Sequence, residues 1–218
     1  MFKEILRTEW NWSRYAVVVT VVAAFALPLV AIQPTGMESQ SLYDTTAIMN
    51  VMRRYSPWFG GLAMLLGLVF ATTTWGADHR GHHVYALTLP VPRWQYVVMR
   101  YSAGLLLLCA PLAAMWFGCL VASAAAQIPT GLQAYPYALS LRFAFATVLA
   151  FSVFFAISAG TTRTAAYVLT VLLVVGLGQV GINVFGLDRN VIGWILDSLV
   201  VWPGPLEIFT GEWMLIDV

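Results

Sequence analysis

Charge is scarce in this chain: 218 residues carry 11 Lys or Arg and 10 Asp or Glu, a net charge of +1. No global basic field is available, so nucleic acid is excluded as an expected partner. Cysteine is scarcer still. Cys109 and Cys119 both fall inside one apolar run and read as small buried side chains rather than as a disulfide. Period-2 alternation over ten-residue segments is missing, which argues against a membrane barrel and leaves helices as the spanning element. No G-x-x-x-x-G-K-[ST] phosphate loop occurs anywhere, so the chain is not expected to bind or hydrolyse a nucleotide itself.

Apolar residues fill the space that charge leaves. With 60% hydrophobic and 14% aromatic residues and a mean hydropathy of +0.79, the chain exceeds what a soluble domain of this size carries. A bilayer core about 30 Å thick takes roughly 20 apolar helical residues. Charge-free windows of that length occur at 15–32, 55–77, 101–141, 143–162 and 164–187. The window 101–141 holds one span, the turn-rich piece "QIPTGLQAYPY" and the start of the next. The expected fold is therefore all-α, a polytopic helix bundle with spans at 15–33, 56–77, 98–125, 141–161 and 164–187. Residues 1–14 read as an interfacial helix, with Phe2, Ile5, Leu6 and Trp10 on one face. Residues 42–54 read as a short outer helix, with Ile48, Val51, Met52 and Tyr55 on the outer leaflet, and 188–218 as an outer segment. Within that segment Met214 to Val218 reads as the possible beginning of a further span.

Placing the N-terminus in the cytoplasm puts Lys3, Arg7, Arg14, Arg80, Arg93, Arg100 and Arg163 inside and Arg53, Arg54, Arg142 and Arg189 outside. This bias favours that orientation.

All three histidines, His79, His82 and His83, cluster in the loop 78–92. The His-x-x-His-His spacing resembles one box of a membrane di-iron site, but such sites need about eight imidazoles. Adjacent His82 and His83 also point to different faces of a helix, so no metal site is expected. The layout suggests a mechanical role instead: Asp78 and Arg80 close span two, an amphipathic "GHHVYALTL" follows, and Pro90 and Pro92 break it before the next helix.

The stretch "DHRGHHVYALTLPVPRWQYVVMR" resembles the cytoplasmic loop of the type-2 permease family of ATP-binding-cassette transporters. The matching positions are Asp78, Gly81-His82, Leu87-Thr88-Leu89-Pro90-Val91, Arg93 and Val97-Val98, with Asp where the family more often has Glu and His82 where Thr is common. The resemblance implies a single permease domain over 1–218, six spans with both ends inside, and an exporter that works as a dimer or beside a related permease. A sixth span is missing from this chain. ATP and magnesium would sit on a separate cytoplasmic ATPase subunit, and no cofactor is expected here. By the same resemblance, residues 78–89 would be the helix that couples to the ATPase, with Asp78, Arg80, Gly81, His82, His83, Tyr85, Leu87, Pro90 and Arg93 at the contact and Arg163 as a second point. Gln179 and Asn183, one turn apart, and Arg142 are candidate pathway residues, and Ser152, Ala156 and Gly160 form a small-residue stripe. A non-transporting assembly or anchor subunit of a membrane complex is the other reading.

Overall fold

The computed structural model describes residues 2–32, 45–80, 92–126 and 132–159, isolated positions between 167 and 199, and 204, 206–209 and 211–217. Four helices run through the described part: α1, Phe2–Ile32; α2, Thr45–Arg80; α3, Arg93–Ala125; and α4, Pro136–Ser158. A two-residue strand β1, Gln133–Ala134, pairs antiparallel with β2, Ile216–Asp217.

All four helices are long and apolar enough to cross a membrane. They coincide with four of the five charge-free windows; the fifth, 164–187, lies outside the described residues except at isolated positions. Four spans therefore stand among the described residues, against the expected five. Met214–Val218 is not the opening of a described helix, because Ile216–Asp217 is strand and Tyr135 N–H donates to the Leu215 carbonyl at 2.8 Å.

Two boundaries differ from the sequence expectation. The stretch 1–14 is continuous with the first span in a single helix from Phe2, and Ile5, Glu9 and Ser13 are buried against protein. The stretch 42–54 joins the second span from Thr45 onward, and Met52 is 2% exposed, in the core rather than on lipid. Backbone helicity does not stop where hydrocarbon ends, so charge-free windows mark the slab and not the helix.

Contacts fix the directions. Glu9 of α1 meets Arg100 of α3, and Phe25 and Pro28 meet Gly118, so α1 and α3 run parallel. Tyr101 of α3 bonds Ser152 of α4, and Gly104 lies against Phe151, so those two run antiparallel. Gly67 of α2 abuts Ala150 of α4 so closely that a Cβ there would lie 2.5 Å from the Ala150 Cβ and 2.6 Å from the Phe151 nitrogen. A Cβ at Gly118 would lie 2.7 Å from the Phe25 carbonyl oxygen. Small residues thus let helix backbones touch where lipid offers no hydrophobic gain for helix association. Ser152 spends its hydroxyl inside this bundle, 2.7 Å from Tyr101 Oη.

The chain divides into two compact units, 1–155 with 212–218, and 156–211. Of the second, the described part includes a single 3-10 turn, Glu207–Phe209, where Leu206 N–H reaches the Leu199 carbonyl at 2.8 Å.

Candidate functional site

Charge in the first unit gathers at two levels of the bundle. Between Ser56 and Thr74 α2 carries none, and that 18-residue separation rises about 27 Å, close to the thickness of a bilayer core.

At one level lies Arg100, eight residues into α3 and 4% exposed. Its Nε and Nη2 donate to Tyr96 Oη at 2.9 and 2.8 Å, a pair one helical turn apart. Its Nη1 donates to the Thr74 carbonyl of α2 and lies 3.6 Å from Glu9 Oε1 of α1. Glu9 is 2% exposed and Thr74 3%. One guanidinium therefore holds three helices. An arginine suits this task because its planar fork presents several donors in fixed directions and keeps its charge when buried.

Aromatic rings enclose the knot. The Arg100 guanidinium carbon stands 5.3 Å from the Tyr96 ring centroid and 6.0 Å from that of Trp75. Trp75 packs at 5.2 Å on Phe155 of α4, and Tyr101 at 5.4 and 5.3 Å on Phe151 and Phe155. These rings extend the linkage from α1, α2 and α3 to α4. A buried ion pair shielded in this way resists separation, because parting it would leave a charge in low dielectric.

The loop 78–92 departs from this same level, four residues after Thr74 on one side and eight before Arg100 on the other. Asp78 and Arg80 are the last turn of α2, and Arg93 is the exposed first residue of α3. Pro92 is the N-cap of α3, its carbonyl accepting from Gln95 at 3.0 Å and Tyr96 at 3.3 Å. Gly81, His82, His83, Tyr85, Leu87 and Pro90 lie outside the described residues, as do Arg163, Gln179 and Asn183. Among the described residues no group of His, Cys, Asp and Glu could hold a metal.

Arg142 belongs to the other level. Its Nη1 donates to the Glu212 carbonyl at 2.9 Å, and its guanidinium carbon lies 4.5 Å from the Trp213 ring centroid. Trp213, 2% exposed, donates its backbone N–H to Ser56 Oγ at 2.6 Å, and its indole lies over Gly60, where an added Cβ would stand 3.8 Å from the ring. Arg53 pairs with the Glu212 carboxylate.

By charge count Arg100 falls among the loop-side cations, and nothing in the composition of residues 1–14 singles out Glu9. A signal was present: Glu9 continues the stripe Ile5, Glu9, Ser13, Val17 that faces the protein, and Tyr96 precedes Arg100 by one turn.

The comparisons agree with the helical layout. The profile described as ABC-2 family transporter protein matches residues 42–202. No curated protein and no solved structure matches the chain. With four apolar helices and a profile covering most of its length, the chain is a multi-pass membrane protein and belongs to the ABC-2 family of transporter proteins.

Proposed function

We propose that the chain is the membrane-spanning permease subunit of an ATP-driven exporter of bacterial type, seated in the cytoplasmic membrane with its N-terminus inside. ATP is hydrolysed on a separate cytoplasmic ATPase subunit, and a second permease copy or a related permease completes the substrate route. Residues 78–92 receive the push of the ATPase. Arg100 is the observation that supports this reading: it binds α1, α2 and α3 together at the level where that loop leaves the bundle. A displacement of the loop then shifts three helices as one body instead of bending a single connection. Gln179 and Asn183 are retained as pathway candidates. Arg142, engaged with Glu212 and Trp213, is better read as part of a clasp than as a charge lining the route.

Site-directed crosslinking tests the assignment. Cysteines placed singly at positions 82, 83 and 85, in a chain with Cys109 and Cys119 replaced by Ala, are expected to crosslink to the ATPase subunit. One placed at Trp58, at the opposite level, is not. Crosslinks from 58 and none from 82 to 85 would overturn both the coupling loop and the orientation.

A further inference from the structure

The first turns of α1 and the middle of α3 border a cavity of about 560 Å³ that no part of the permease reading uses. Its size falls in the ordinary ligand range of about 300–1,000 Å³. Lys3, Arg7 and Trp10 lie along one side, spaced by four and three residues so that they share a helix face. Leu106, Leu107 and Ala110 form the other side.

The two sides differ in chemistry. Lys3 and Arg7 are exposed and join no salt bridge among the described residues. Glu4 also lines the cavity, leaving one net positive charge there. Leu106 to Ala110 stand six to ten residues beyond Arg100, about 9–15 Å further along α3 and into the apolar slab. Cations and an indole at the wet end with aliphatic side chains at the deep end match the polarity of a single lipid molecule.

We propose that this groove binds an anionic glycerophospholipid of the leaflet holding the N-terminus, with its phosphate on Lys3 and Arg7 and an acyl chain along Leu106 and Ala110. A zwitterionic lipid would satisfy the apolar wall yet gain little from Lys3 and Arg7, whereas a net negative headgroup gains from both. The inference does not depend on transport or on an ATPase.

Native mass spectrometry of the purified chain, titrated with phosphatidylglycerol or phosphatidylcholine in mild detergent, tests it. The wild type is expected to retain one phosphatidylglycerol in preference to phosphatidylcholine. K3Q/R7Q should weaken phosphatidylglycerol by roughly 25-fold, about fivefold for each charge, and leave phosphatidylcholine unchanged. A110W, which fills the deep end without touching charge, should weaken both lipids. The single variants K3Q and R7Q carry the same test should the double variant melt early. Equal retention of the two lipids, or a double variant that binds as the wild type does, would overturn the proposal. Displacement of phosphatidylglycerol by millimolar inorganic phosphate would also overturn it, by showing a bare anion site.

Discussion

Two arginines, one at each level of the bundle, solve different problems with the same side chain. Arg100 is buried among helices, where its partners Glu9, Thr74 and Tyr96 belong to α1, α2 and α3. Arg142 is half-buried at the start of α4 and holds a non-helical segment, Glu212 and Trp213, against the bundle. The first arrangement fixes helices to one another where a loop enters; the second fastens a tail. Their energetics diverge because burial makes a broken pair costly, while solvent heals an exposed one.

Removing the buried cation should produce the largest effect. Arg100→Ala removes the cation facing the buried Glu9 carboxylate and is expected to cost about 3–5 kcal/mol, read as a lowered Tm in detergent. The double change Glu9→Gln with Arg100→Met removes both charges and should recover most of that loss. If the double variant is no more stable than Arg100→Ala alone, the ion pair is not what holds the knot.

At the other level, Ser56→Ala withdraws the acceptor of the buried Trp213 N–H, an expected loss of about 1–3 kcal/mol. Tryptophan fluorescence against denaturant would report it, and an unchanged midpoint would show that the Ser56 bond does not hold the tail. Arg53→Ala should matter least. The Arg53–Glu212 pair is 61% and 37% exposed at its two side chains, so it contributes less than about 1 kcal/mol. Its small effect should fade in 1 M salt, whereas the Arg100 effect should persist; equal salt sensitivity would erase the distinction between the two levels.

The sequence showed the slab clearly and the ties within it poorly. Charge-free length located the spans at α1 to α4, because hydrocarbon tolerates little else over about 20 residues. It could not show where the helices begin, since the amphipathic turns at 2–14 and 45–54 continue the same backbone bonding outside the slab. The loop motif at 78–92 led to the family, and the family match includes it. Arg100 escaped notice because charge counting treats an arginine beside an apolar run as loop-side, while side-chain reach and the Tyr96 hydroxyl draw it inward. Gly67 and Gly118 were invisible for another reason: nothing local distinguishes a glycine that touches a neighbouring helix from one that does not.

The most direct measurement is to purify the tagged chain from its native host in mild detergent and assay the same fractions for an accompanying ATPase and for ATP hydrolysis. The comparison is with the variant Gly81→Pro/Leu87→Asp. The account predicts a stoichiometric, hydrolytically active ATPase with the wild type and its loss with the variant, at an unchanged melting temperature of the spans. A clean preparation holding only other membrane chains, with no hydrolysis, would contradict it.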